Sequence, residues 1–187
     1  MRAHGIRSVV DLRTEEEVAA DPSPFREGLA YRHAPFAALR IMGLHRAVLD
    51  STLPDELRRI ASPVMGLGVA VIAIADSEPG IVLHCLAGRD RTGIVVATLL
   101  AAIGVPDEEI VDDYVASDVE LADDYRRFKA SNPDRAAEID EAIDRRAWVM
   151  SEVLAALRTV FGGSAAYLRS AGVRPEQLDR IRTKLVG

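Results

Sequence analysis

The chain's only cysteine lies in the stretch Ile81–Gly93, I-V-L-H-C-L-A-G-R-D-R-T-G, followed by two arginines that bracket an aspartate. Five residues separate Cys85 from Arg91. An apolar run ends at His84 and another, Ile94–Ile103, has helical character, so the loop between them reads as a strand-to-helix turn. Such a turn points successive backbone N–H groups at one place, where an anion is favoured. The amides of Leu86, Ala87, Gly88, Arg89, Asp90 and Arg91 are expected to converge above the sulfur. Arg91 would close the ring with a two-pronged donor suited to phosphate oxygens. Gly88 is expected to allow the tight turn, and Gly93 to let the helix pack closely on the strand. Donors and helix dipole together would draw the thiol pKa from about 8.5 into the range of roughly 3.5–7.5. A drop of three units is about 4 kcal/mol of preference for thiolate, enough for a nucleophile at neutral pH. Thr92 is placed to hydrogen-bond the sulfur, and His84 to orient the loop. The competing account makes Cys85 a small buried apolar residue at a strand end. His, Cys, Gly, Arg, Asp, Arg, Thr and Gly within ten positions weigh against it.

These residues need elements to hold them. Ser8–Leu12 reads as a short strand, and Thr14 with Glu17 as a capping box opening a brief helix that stops at Pro22. Asp11 and Arg13 could point at the active site or hold the strand end by hydrogen bonds. Tyr31–Ala34 reads as a second strand. Pro63–Ala75 is apolar nearly all round but too short to cross a bilayer, so it reads as a buried helix. Thr92–Ile103 is a buried helix ended by Gly104, and Asp107–Ser117 carries Ile110, Val111, Tyr114 and Val115 on one face. Asp118–Ala130 and Asn132–Ile143 are charged and helical, with Asn132 as a cap for Pro133. Ala147–Phe161 places Val149, Val153, Leu154, Leu157 and Val160 toward a core, with Trp148 packing. Gly162–Gly163 breaks that helix, Ser164 caps a short one, and Pro175 opens the last, to Leu185.

Composition bounds the reading. A chain of 187 residues, 49% hydrophobic and low in aromatics, suits one α/β domain that buries about 70% of its unfolded surface. A net charge of −6 argues against nonspecific nucleic-acid binding. A single cysteine excludes internal disulfides and cysteine-rich zinc sites, and the four histidines lack metal-ligand spacing. No cofactor or metal is expected. Met1–Ser8 is charged and no apolar signal core follows it, so a cytoplasmic location is expected, with export lacking a cleavable signal left open. No stable membrane insertion is expected.

The segment H-C-L-A-G-R-D-R-T-G resembles the phosphate-binding loop of the atypical, lipid-phosphatase-like bacterial tyrosine phosphatases, H-C-x-x-G-K-D-R-T-G. Val9–Arg13, Asp112–Tyr114 and Phe161–Val173 resemble that family's first strand, post-loop helix and C-terminal signature, and the D-L-R of the first implies that Asp11 and Arg13 hold the strand end rather than act in catalysis. The resemblance implies a three-layer fold, a small and mostly parallel sheet flanked by helices, over residues 1–187 as one domain. Residues 118–145 would form a helical lid; two solvent-facing helices with no gating role are the alternative. The family's extra N-terminal strand has no counterpart ahead of Ser8, which would leave a sheet edge uncovered. Arg89 stands for the usual lysine, and Asp90 matches an aspartate that supports catalysis.

The implied activity is hydrolysis of phosphate monoesters through a cysteinyl phosphate. Phosphotyrosine leads as substrate, with phosphoserine/threonine or phosphoinositides, in a phosphorylated protein or phospholipid, as further ones. The family's general acid falls at Ala38, a departure worth a factor of about 10²–10⁴. Asp90, Asp50 and Asp55 are the substitutes, Asp90 first because it is already in the loop. Arg32, Arg40, Arg46, Arg58 and Arg59 make the preceding region basic, either to guide an anion or to pair with nearby carboxylates. A phosphate-binding pseudo-enzyme is the main rival reading. A rhodanese-like sulfurtransferase and an arsenate reductase are weaker ones.

Overall fold

The computed structural model describes residues 2–36 and 66–187. Ala38, Asp50, Asp55, Arg40, Arg46, Arg58, Arg59 and the start of the apolar helix lie outside them. Strand β1 (Ser8–Asp11) is buried along its whole length and sits between β2 (Ala30–His33) and β3 (Ile81–His84), paired in parallel with both. A central strand must be apolar on both faces, and Val9 and Val10 supply this. The register sets Asp11 level with His33 and His84, so three strand ends finish together. Ligand-binding loops of open α/β sheets gather at that carboxyl edge.

The first crossover carries α1 (Glu15–Ala20), whose capping box forms in full: Glu17 N–H donates to Thr14 Oγ1 (3.3 Å) and Thr14 N–H to Glu17 Oε2 (2.7 Å). Helix α2 is described over residues 66–75, with Leu67, Ala70, Val71 and Ala75 in the core. Its C-terminal carbonyls would be orphans. The ammonium of Lys184 meets them, donating to Ile74 O (2.9 Å), Ala75 O (2.5 Å) and Ser77 O (2.5 Å). Helix α3 (Asp90–Ile103) follows the loop after β3 and ends at Gly104, which adopts φ +95°. It packs on β3 and is covered by α4 (Asp107–Glu120), α7 (Arg146–Phe161), α8 (Ser164–Ser170) and α9 (Pro175–Val186). Between α4 and α7 come α5 (Ala122–Ser131), a 3₁₀ turn at Pro133–Arg135, and α6 (Ala136–Asp144). The result is a small parallel sheet flanked by helices, an α/β fold.

Several local readings change. Asn132 does take the N-cap position of the turn after it, with Pro133 opening that turn, but its side chain is not the cap: the amide donates to Phe128 O (2.9 Å), closing α5 behind it. Gly163 takes the N-cap position before α8, leaving Ser164 as the first helical residue. On α7 the buried face is Met150, Val153, Leu154, Ala156 and Leu157, while Val149 is half-buried and Val160 exposed. The two valines sit at the margins of the stripe, where a small phase error in a 3.6-residue repeat moves them toward solvent. Trp148 is also partly exposed, with the Arg145 guanidinium 5.0 Å from its ring centre.

Candidate active site

The residue types of 84–92 meet at the carboxyl edge of the sheet because β3 ends there and α3 begins after a five-residue loop. Gly88 takes φ +70°, a conformation that costs other residues energy, and this turns the chain into α3. Leu86, Ala87 and Gly88 are exposed, whereas Cys85 is only 6% exposed at the floor. Burial pushes the Cys85 thiol up. The Thr92 hydroxyl, the Thr92 and Gly88 amides and the charge of Arg91 pull it down further, so the net shift is toward thiolate. Thr92 Oγ1 is buried and has no oxygen or nitrogen partner among the described residues, which leaves its proton for the sulfur.

Below the loop, His84 Nδ1 lies 3.0 Å from Cys85 O, and its Nε2 faces Asp11 Oδ2 at 3.6 Å. Asp11 is wholly buried. Burial raises its pKa, but hydrogen bonds from the Arg13 side chain and backbone and from Tyr31 outweigh that and hold it at about 2. Arg13 reaches Asp11 with Nε (3.0 and 3.1 Å) and Nη2 (2.8 Å), and ties α1 down through Asp21 O (2.9 Å). Tyr31 donates to Asp11 Oδ2 (2.9 Å). The D-L-R pair therefore clamps the strand ends under the loop.

Arg91 brings in a residue that the sequence offered only as a helix cap. Its Nη1 and Nη2 donate to Glu17 Oε2 (2.5 Å) and Oε1 (2.7 Å). The Arg91 hydrogen bonds, ahead of the opposing effect of burial, hold Glu17 at about 2. Its position three residues after Thr14 was visible, but the second use of the carboxylate depends on a 74-residue contact no local pattern encodes.

Both depressed carboxyls have a measurable consequence. Asp11 and Glu17 stay ionised in the fold down to about pH 2. In the unfolded chain they titrate near 4, so their stabilisation is complete above about pH 5 and lost as pH falls toward 2. A melting series should show Tm dropping across that window. An Asp11→Asn variant should lose less Tm over the same interval; an equal loss would mean that the ionisation of Asp11 contributes nothing.

On the far side of the loop, Asp90 is gripped by Arg89 through Nε (2.8 Å) and Nη2 (2.8 Å) and accepts from Tyr114 OH (3.3 Å). Arg89 Nη1 donates to Tyr125 OH (2.5 Å) on α5. The guanidiniums of Arg89 and Arg146 lie 5.6 Å and 4.9 Å from the centre of the Tyr125 ring. Arg146 pairs with Asp118, and burial followed by repulsion from Arg89 brings its pKa down to about 10. Residues of 118–145 thus touch the loop at Tyr125. Arg32 lies elsewhere, on β2, donating to Asp76 O (3.2 Å).

Gly93 does not serve the strand. A Cβ built there would stand 2.5 Å from the Tyr114 ring, so it is α4 that needs the glycine. Helix α4 crosses closely here because the Cδ2–Cε2 edge of its tyrosine ring is turned onto Gly93 in the first turn of α3. Gly93→Ala should destabilise by roughly 1–3 kcal/mol through overpacking, seen as a lower urea midpoint; an unchanged midpoint would show that Tyr114 swings clear.

Donors from Thr92, Gly88 and Arg91 act on the Cys85 sulfur, surroundings that favour an anion. Known proteins carry related sequences. Residues 1–187 match the sequence profile described as the tyrosine phosphatase family. The chain is 30% identical over 203 residues to a tyrosine-protein phosphatase of Nostoc commune, covering 99% of this chain and 68% of the relative. It is also 30% identical over 239 residues to the triple specificity protein phosphatase PtpB of Mycobacterium tuberculosis, covering 100% of this chain and 84% of the relative. A putative tyrosine-protein phosphatase of Cupriavidus necator is 26% identical over 122 residues, or 60% of this chain and 45% of that protein. Among the described residues no helix is long and apolar enough to cross a membrane.

Proposed function

The chain belongs to the tyrosine phosphatase family, and we propose that it hydrolyses phosphate monoesters at Cys85 through a cysteinyl phosphate. The observation that carries this reading is the convergence of Thr92, the Gly88 amide and Arg91 on one sulfur at the mouth of the sheet. The thiolate attacks phosphorus, the P–O bond to the substrate breaks, and the leaving oxygen takes a proton. Arg91 and the loop amides from Leu86 to Arg91 bear the charge on the three equatorial oxygens. Thr92 steadies the sulfur as it later departs. Water then attacks phosphorus and the S–P bond breaks. Asp90 accepts the water's proton, since each of its contacts already uses it as an acceptor. Asp90, already in the loop, is the first choice for the proton donor of the first step as well, with Asp50 and Asp55, outside the described residues, as the alternatives. Residues 118–145 act as a lid that meets the loop through Tyr125.

Phosphotyrosine is the leading substrate, and a relative named a triple specificity protein phosphatase supports a set wider than one phosphoamino acid; phosphoserine/threonine and phosphoinositides are the further substrates to test. Purified protein should release phosphate from a phosphotyrosine peptide first in such a panel, with Cys85→Ser as background. Release no faster than that background, together with tight vanadate binding, would favour the pseudo-enzyme reading that Ala38 motivates.

Ala38 gives its own prediction. An aspartate there should speed phosphoserine turnover by up to roughly 10²-fold and leave p-nitrophenyl phosphate, whose leaving group needs no proton, nearly unchanged. Equal gains on both substrates would defeat the missing-acid account.

A further inference from the structure

Arg91 has five N–H donors in a rigid plane. Nη1 spends its two on Leu12 O (3.4 Å) and Glu17 Oε2 (2.5 Å), and Nη2 gives one to Glu17 Oε1 (2.7 Å). The two left over, on Nε and Nη2, share a single edge of the guanidinium. Arg91 also interacts with the Cys85 sulfur through its side chain, which that remaining edge alone can reach with a free donor. Glu17 is itself fixed from a third side by the Thr14 amide (2.7 Å). Its carboxylate is thus held by α1 and, in turn, holds the far end of the arginine.

We propose that Glu17 is a positioning residue: it grips the end of the Arg91 guanidinium so that the Nε–Nη2 edge stays turned toward the sulfur and the phosphoryl group. This rests on the phosphatase reading and deepens it. Arginine has four side-chain torsions, and an unheld guanidinium at a pocket mouth would sample many of them. Misplacement by about 1 Å can cost a factor of 10² in rate. Part of the capping box therefore serves the reaction, by way of a helix that contributes no residue to the catalytic loop.

Two comparisons separate this role from simple support of α1. Thr14→Ala removes the other half of the capping box but leaves the Arg91 grip intact. It should lower Tm by roughly 2–4 °C and leave kcat/KM for p-nitrophenyl phosphate within about threefold. Glu17→Gln should cut kcat/KM by roughly 10–100-fold. In an Arg91→Lys background, where no planar fork exists to be gripped, the same Glu17→Gln change should cost less than about threefold. Equal losses in both backgrounds would overturn the proposal, as would a Thr14→Ala loss of activity matching that of Glu17→Gln. Wild type showing no activity above Cys85→Ser would instead overturn the phosphatase reading, and this inference with it.

Discussion

Cys85→Ser should abolish turnover, by at least roughly 10³-fold, while vanadate or phosphate still binds. The two atoms differ little in size, so the amide ring, Arg91 and Thr92 keep their places. They differ greatly in acidity. The donors around Cys85 work against a burial that leaves it 6% exposed, and still carry the net shift toward thiolate. A serine hydroxyl starts far higher, and the same donors cannot bring it into the neutral range. Binding and chemistry should therefore separate: anion affinity measured by protection of Tm within about threefold of wild type, and no phosphate release. Retained activity would mean that the sulfur forms no bond to phosphorus. Loss of both binding and turnover would mean instead that Cys85 supports the loop's shape.

Arg91→Lys carries the second largest expected effect, a fall in kcat of roughly 10²–10³-fold. Charge is conserved, so the loss reports on geometry. A lysine ammonium is a point charge without the planar pairs of donors that lie across from Glu17 and face the phosphoryl oxygens. It would pair with one oxygen of Glu17 and sit away from the sulfur. The thiol should then titrate higher, because the charge of Arg91 is among the influences that lower it. Alkylation of Cys85 by iodoacetamide as a function of pH reads this directly. The alkylation profile should move to higher pH in the variant. An unmoved profile with full activity would show that Arg91 is a bystander.

Much of this site was legible because its chemistry is local. Cys85, Gly88, Asp90, Arg91 and Thr92 lie within eight residues, and a strand feeding a helix constrains their relations tightly. The strand-end role of Asp11 and Arg13 was also readable, through the resemblance of V-V-D-L-R to the family's first strand. What stayed hidden depends on contacts between distant segments. The Arg91 partner lies 74 residues away, and the capping pattern fully accounted for Glu17 without any need for a second role. Gly93 was assigned to the strand because its actual neighbour, Tyr114, comes from a helix whose crossing distance no sequence period reveals. On α7 the pattern identified the element and misjudged the edges of its buried stripe, as Val149 and Val160 show.

The ammonium that closes α2 comes from Lys184, three residues before Gly187. Replacing Lys184 by methionine would thus take the side-chain donor from Ala75 O and Ser77 O, next to the turn that leads into β3, while Ile74 O keeps the Ser77 amide. The approach to the catalytic loop's supporting strand is in this way fastened by a single cation on α9, and its loss should loosen the site while the last helix stays folded.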